Sequence, residues 1–314
     1  MTTTHHSKCA AFYSHTNIRG DNRVFPCCRF KKPIQTFNGD LSAVLHSDEY
    51  NSIRERAEHT RLPECAKCWH EEDLGKKSLR QHFNETYNTD NVELKYLEIG
   101  FDNICNLTCD GCWEEWSSSW WVKKNPTIAS KHGITKVKDI TNIPNSIQKI
   151  VFLGGEPLMT SRHRKFLESL DELNTLEVEY FTNGMFSLNS KDHQILDKCK
   201  SVKFTISIDG YGTLNEQVRS GSVWNTVVKN TAEIAKKYNT VVHTVVHKNN
   251  WHGLLDMFKW TNQNSYTWTT NILTYPQELD IVNLDADSKQ QVINICKFNN
   301  IPNRTYITSH LQEK

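Results

Sequence analysis

The sequence predicts an α/β fold in two parts: a small cysteine-rich N-terminal domain, then a parallel α/β domain that is either an open sheet or a barrel. Two observations carry this. From about residue 92, short β-rich runs alternate with helical stretches, the pattern of parallel strands joined by helical crossovers. Eight of the ten cysteines fall within the first 112 residues, and three of them stand in the run Cys105-Asn106-Leu107-Thr108-Cys109-Asp110-Gly111-Cys112 directly behind the first β-rich run.

Taken in order, residues 1–90 lack strand-helix alternation and carry turn signals at Gly20-Asp21-Asn22, Asn38-Gly39-Asp40 and Leu62-Pro63. Between the turns, apolar Leu41, Val44, Leu45, Ile53 and Ala57 recur at helical spacing. That is little core for such a length, and a unit of this kind needs a metal or disulfide staple. Residues 91–275 hold six predicted strands: Tyr96 to Phe101, Lys149 to Leu153, Glu177 to Phe181, Val202 to Ile208, Thr240 to Val246 and Tyr266 to Ile272. Helical patterns at His163 to Leu173, Lys191 to Cys199 and Val223 to Tyr238 lie between them. In such a domain the functional loops sit at the C-terminal ends of the strands, and the cysteine run is at that end of the first. Residues 276–314 add one helix, Asp285 to Phe298, and a polar tail.

Composition narrows the function classes. Hydrophobic residues make up 37% of 314, but nine Trp, ten Tyr and thirteen Phe supply bulky core material, and the mean hydropathy of −0.61 suits a soluble protein. No run approaches the about eighteen apolar residues of a spanning helix, and Met1 to Lys8 has no apolar stretch of a secretory signal. The expected location is the cytoplasm, with no membrane partner. A net charge of +1 gives no argument for nucleic acid. In a reducing compartment clustered cysteines are metal ligands or catalytic groups rather than disulfides; Cys199 and Cys296 stand apart and read as ordinary buried residues.

Cys105, Cys109 and Cys112 suit three irons of a four-iron cluster, whose ordinary set is four cysteines, so one iron stays open to a ligand. Zinc ligands come more often as CxxC pairs. The spacing CxxxCxxC behind a strand closely resembles the signature of the radical S-adenosylmethionine (SAM) superfamily, and three further stretches agree with it in order. Leu153-Gly154-Gly155-Glu156-Pro157 resembles the GGE motif, Thr182-Asn183-Gly184 the TNG segment, and Ser207-Ile208-Asp209-Gly210 with downstream Arg219 the S-x-D-G segment and its arginine. The resemblance implies a partial (β/α)6 barrel. It implies SAM held on the open iron, with Gly154 and Gly155 letting the backbone approach it, Glu156 binding its ammonium, Ser207 and Arg219 at its carboxylate or ribose, and Asn183 close by. For each alone, a helix cap or turn is the plainer reading. One departure is Gly111, where the family often has an aromatic residue near the adenine; Trp113 or Phe101 would then supply that contact.

Cys9, Pro26-Cys27-Cys28 and Cys65-Ala66-Lys67-Cys68 form a second set, enough for one tetrahedral metal or one four-iron cluster. They resemble the auxiliary-cluster modules called twitch or SPASM, although that module usually follows the barrel and here precedes it. The expected ligands are Cys9, Cys27, Cys65 and Cys68, with Cys27 favoured over Cys28 because it follows the proline; structural zinc is the alternative. His5, His6, His70 and Glu72 read as surface residues.

The stretch Trp116 to Lys138 combines Trp116, Trp120 and Trp121 with five lysines and no acidic residue before Lys138. Such a run suits a phosphate or nucleobase, but more often it is a helix with its aromatics packed inward. The resemblance implies two 4Fe-4S clusters, SAM, an electron donor such as flavodoxin or ferredoxin, and a 5′-deoxyadenosyl radical that abstracts a substrate hydrogen. A peptide or protein is the first choice of substrate and a small molecule such as a nucleotide derivative the second; a non-catalytic redox sensor is the other class. Asp102, Asp209, Tyr211 and the acidic residues of the N-terminal part are unranked as proton acceptors.

Overall fold

Six parallel strands occur where the periodicity puts them, each end within one residue of the expectation. The computed structural model describes residues 7–312. In chain order the strands are β1 (His15–Ile18), β2 (Arg23–Phe25), β3 (Gln35–Thr36), β4 (Tyr96–Gly100), β5 (Thr108–Cys109), β6 (Lys149–Leu153), β7 (Glu177–Thr182), β8 (Ser201–Ser207), β9 (Arg219–Ser220), β10 (Asn239–Val246) and β11 (Thr267–Ile272). Nine form one sheet in the order β11-β10-β8-β7-β6-β4-β1-β2-β3. From β4 to β11 all neighbours are parallel, as in an unclosed barrel with β3 and β11 at its edges. The register Tyr96↔Lys149 to Gly100↔Leu153 keeps the strand ends level, so their following loops share one rim.

Both faces of the central strands are covered, which is why Ile150, Val151 and Phe152 run apolar without alternation. One face carries an aromatic ladder across four strands. Phe101 meets Phe152 with ring centroids 6.0 Å apart, Phe152 meets Tyr180 at 4.9 Å, and Tyr180 stacks on Phe204 at 4.9 Å.

The N-terminal ninety residues depart from the expectation of a separate unit. β1 runs parallel to β4, with Asn17 opposite Glu98, and β2 and β3 continue the sheet antiparallel. Leu41, Val44, Leu45 and Tyr50 pack into the core of the barrel, while Cys9, Phe12, Phe30, Ile53, Leu62 and Phe83 form a second core. The helical reading of Leu41 to Ala57 is split by Ser47, whose extended backbone (φ −69°, ψ 157°) and side chain cap the helix Asp48–His59. Two helices that the apolar pattern did not announce, Ala66–Asp73 and Leu79–Thr86, complete this region; Ser78 and Gln81 form a capping box for the second. Among the described residues no helix is long and apolar enough to cross a membrane.

Candidate active site

A cavity of about 460 Å³ opens at the C-terminal ends of the parallel strands. The three cysteines of the loop after β4 line it, together with Gly154 and Gly155 after β6, Asn183 after β7, Ser207 at the end of β8, and Arg219. Five rim segments, dispersed over more than a hundred residues of sequence, therefore converge on one space.

The cysteine loop is held by short local bonds. Gly111 has φ +72°, and Cys112 N–H donates to the Cys109 carbonyl at 3.2 Å. β5 within the loop pairs antiparallel with β9, setting Cys109 opposite Arg219. The tryptophan-rich stretch braces the loop from outside. Ser117 Oγ donates to the Leu107 carbonyl at 2.6 Å, Ser119 Oγ to the Cys105 carbonyl at 2.7 Å, and Trp120 Nε1 to the Cys109 carbonyl at 3.0 Å. Lys124 pairs with Glu114 at 2.5 Å. Much of that stretch is thus scaffold, and of its tryptophans only Trp116 lines the cavity.

The GGE segment sits differently from the role implied for it. A Cβ on Gly155 would lie 2.2 Å from the Ile104 carbonyl oxygen, and one on Gly154, at φ +114°, would lie 2.6 Å from that of Asp102. Gly155 N–H and Glu156 N–H donate to those same two carbonyls, at 3.1 and 2.7 Å. The glycines therefore let two loop backbones touch, which positions Cys105 one residue further on. Glu156 is 1% exposed. Its carboxylate accepts from Thr182 Oγ1 at 2.7 Å, Leu158 N–H at 3.0 Å and Asn183 N–H at 2.7 Å. Burial raises its pKa against those three donors, and it faces the β7 loop rather than lining the cavity, so it acts by fixing Asn183. Asn183 in turn donates from Nδ2 to Asn106 Oδ1 at 2.9 Å, inside the cysteine loop.

Arg219, its side chain 12% exposed, is bonded to Asp209 at 2.6 Å. Burial pulls its pKa down, but Cys109 and Asp209 outweigh this and hold it above the usual value. The aromatic partners proposed around Gly111 lie elsewhere. Phe101 is packed between Phe152 and Phe166, and Trp113 meets Tyr275 edge-on at 5.3 Å beside a smaller cavity. Gly111 is instead covered by Leu273, which would be 2.6 Å from an added Cβ. Two aromatic side chains line the main cavity: Trp116, which belongs to the tryptophan-lysine stretch singled out in the sequence, and Phe181, which was missed because it stands out there only as an apolar residue at a strand's end.

The thiols of the second cysteine set influence one another electrically, although among the described residues no group of three or more His, Cys, Asp or Glu side chains is arranged to hold a metal ion. Burial pushes Cys9 and Cys65 up to about 12; Cys65 and Cys68 add to the effect at Cys9, and Cys68 adds to it at Cys65. Burial raises Cys27 too, with Cys28, Cys9 and Cys65 contributing. In the first set, burial pushes Cys109 to about 11 and Cys112 to about 12, again with neighbouring thiols contributing. Free thiols so placed are soft donors that ionise only when a cation takes the charge, which fits iron-sulfur ligation; none of the ten cysteines is in a disulfide. Cys28, unlike the buried Cys27, is exposed and lines the main cavity. Glu72 is taken by Arg80 at 2.6 Å, His70 is exposed, and His5 and His6 lie outside the described residues.

Residues 100–261 match the family model of the radical SAM superfamily. The chain belongs to that superfamily. Its members are enzymes that bind a 4Fe-4S cluster and SAM. Residues 9–69 match SPASM, an iron-sulfur cluster-binding domain, so the auxiliary module precedes the barrel in this radical SAM protein. Among solved structures, native anSMEcpe with bound AdoMet is 15% identical with a TM-score of 0.45, the match covering 65% of this chain and 60% of that one. SuiB from Streptococcus suis bound to S-adenosylmethionine is 14% identical with a TM-score of 0.42, over 65% of this chain and 43% of that one. SuiB bound to its precursor peptide SuiA is also 14% identical, with a TM-score of 0.45, over 76% and 60%. This chain thus spans 43–60% of the length of those proteins. No curated protein matches it by sequence.

Proposed function

We propose that this radical SAM protein oxidatively modifies a peptide or protein by hydrogen abstraction. The observation that carries the reading is the meeting of Cys105, Cys109 and Cys112 with Gly154, Gly155, Asn183, Ser207 and Arg219 around one cavity. Cys105, Cys109 and Cys112 would hold the SAM-binding cluster, and Cys9, Cys27, Cys65 and Cys68 an auxiliary one. When bound, the first cluster supplies the electron that splits SAM into methionine and a 5′-deoxyadenosyl radical able to take a substrate hydrogen. The chain's own work is orientation and exclusion of water. Asn183 and Ser207 offer hydrogen bonds to SAM, the backbone at Gly154 and Gly155 offers its carbonyls to the ammonium, and Arg219 offers a charge already aligned by Asp209.

A peptide is favoured over a phosphate-bearing molecule because carboxylates already balance the charge of the cavity's two arginines. Arg219 is bonded to Asp209, and Arg19 shares Glu115 with Arg23, which Asp21 also pairs. A nucleotide's phosphate would have to compete with those carboxylates. An auxiliary cluster with four cysteine ligands has no open iron, so its part is to accept an electron. The many free thiols suit a reducing compartment such as the cytoplasm, with a flavodoxin- or ferredoxin-like donor.

The test is anaerobic reconstitution to about eight irons per chain, as two four-iron clusters require. With a strong reductant, the protein should convert SAM to 5′-deoxyadenosine. Replacing Cys105, Cys109 and Cys112 together by Ala should abolish that product and remove about half the iron. Absence of 5′-deoxyadenosine from the fully reconstituted protein sinks the proposal.

A further inference from the structure

The cavity has a wall that the superfamily motifs do not build. Because β1 lies beside β4 in register, its C-terminal end reaches the same rim, and Asn17, Arg19 and Cys28 line the cavity from a part of the chain outside residues 100–261. We propose that this wall binds the substrate, gripping an amide group of a peptide between Asn17 and Arg19, with Cys28 beside it. The proposal rests on the radical SAM reading above and adds the substrate's recognition element.

Asn17 is 4% exposed. Its Nδ2 donates to Glu98 Oε2 at 2.6 Å. A carboxylate only accepts, so this bond fixes which way the amide points. Oδ1 is left without a partner among the described residues. A buried acceptor in that state is destabilising unless something donates to it. Tyr96 Oη also donates to Glu98, at 3.0 Å, so the carboxylate holding Asn17 is itself anchored.

Arg19 supplies the complement. Its guanidinium lies over the rings of Phe25 and Trp116, at 3.7 and 4.6 Å from their centroids, and Nη1 donates to Glu115. The stacking and the ion pair fix the plane of the group, yet Nε has no partner among the described residues. An unpaired acceptor and an unpaired donor thus stand two residues apart along one extended segment, the spacing at which side chains share a face. One can accept and the other donate, the two bonds that the N–H and C=O of an amide require. Glu115 is shared between Arg19 and Arg23, and Asp21 pairs with Arg23 as well, so two carboxylates face the two guanidiniums and the wall has no spare charge for a phosphate.

Cys28 makes the wall testable. The other cysteines around the two metal centres are ligands in this reading, whereas Cys28 is an exposed free thiol on the cavity. The reconstituted holoenzyme with SAM is treated with iodoacetamide, and alkylation of Cys28 is followed by mass spectrometry. Three conditions are compared: no addition, a pool of random hexapeptides blocked at both ends, and an equal concentration of mixed nucleoside monophosphates. A pool is the right probe because amide recognition does not depend on side chains. The peptides should slow alkylation at least about fivefold and the nucleotides should not.

Asn17→Leu should raise the peptide concentration for half-protection about tenfold. Arg19→Lys, which keeps the charge beside Glu115 but removes the Nε donor, should do the same and serves if Asn17→Leu fails to fold. Protection by nucleotides alone, no protection by peptides, or undiminished protection in both variants overturns the proposal. The radical SAM reading fails separately, if SAM leaves the electron paramagnetic resonance spectrum of the reduced cluster unchanged.

Discussion

The two cysteine sets reach similar sulfur-rich sites by opposite routes. Cys105, Cys109 and Cys112 lie within eight consecutive residues, in a loop tied by its own turns and braced by Ser117, Ser119 and Trp120 a few residues on. Cys9, Cys27, Cys65 and Cys68 come from four places: the chain before the helix Ala11–Ser14, the end of β2, a turn after Pro63, and the helix Ala66–Asp73. Gathering them means closing loops across about sixty residues of sequence, and closure entropy grows with loop length. With clusters bound as proposed, the fold would present ligands to the metal in the first case, and the metal would help to make the fold in the second.

That contrast predicts a split in stability, the largest effect expected. In the reconstituted protein, Cys65→Ala should lower the unfolding free energy by about 5 kcal/mol or more, since binding energy at such a site is folding energy. Cys105→Ala, which is expected to stop SAM cleavage, should cost about 1 kcal/mol, since the loop's hydrogen bonds remain. Denaturant midpoints of the two variants against the parent measure this. Equal losses would mean that both clusters are structural and the contrast is false.

How much of each site could be read beforehand follows the same division. The cysteine loop and the GGE, TNG and S-x-D-G segments are contiguous, so their order along the chain already located the rim. Where a side chain points from those segments is a tertiary matter, and there the reading fell short. Glu156 looked like a ligand to SAM, but Thr182 and Asn183 claim its carboxylate. Gly154 and Gly155 do line the cavity, but the close approach that requires glycine there is to the backbone of Asp102 to Ile104. The placement of β1 was invisible for a different reason. His15, Thr16, Asn17 and Ile18 are all buried, three of them polar, so the strand has neither the apolar run nor the alternation that announces one. That polar strand is what brings Asn17 and Arg19 to the cavity.

The cysteine loop is not wholly local, because β9 crosses it and carries Arg219. The Asp209→Asn variant tests how far the loop depends on that outside brace. It removes the carboxylate opposite a buried guanidinium, and breaking such a pair costs about 3–5 kcal/mol. The loss should appear both in stability and in weaker SAM binding by equilibrium dialysis, with the iron at Cys9, Cys27, Cys65 and Cys68 retained. Unchanged SAM affinity would show that the pair serves the barrel alone and the loop stands without it.

The smallest effect addresses the turn inside the loop. Gly111 at φ +72° lies under Leu273, and Gly111→Ala meets two separate costs. An L-residue in that backbone region loses about 1 kcal/mol, and the added methyl presses on the Leu273 side chain, which can swing aside at part of the cost of overpacking. Leu273→Ala in the same chain removes the second cost and leaves the first, so the coupling between the two substitutions isolates the packing share. A coupling of about 1 kcal/mol is expected in unfolding free energy. If the double variant is as unstable as the sum of the two singles, Leu273 does not press on the turn, and Gly111 is required for its backbone alone.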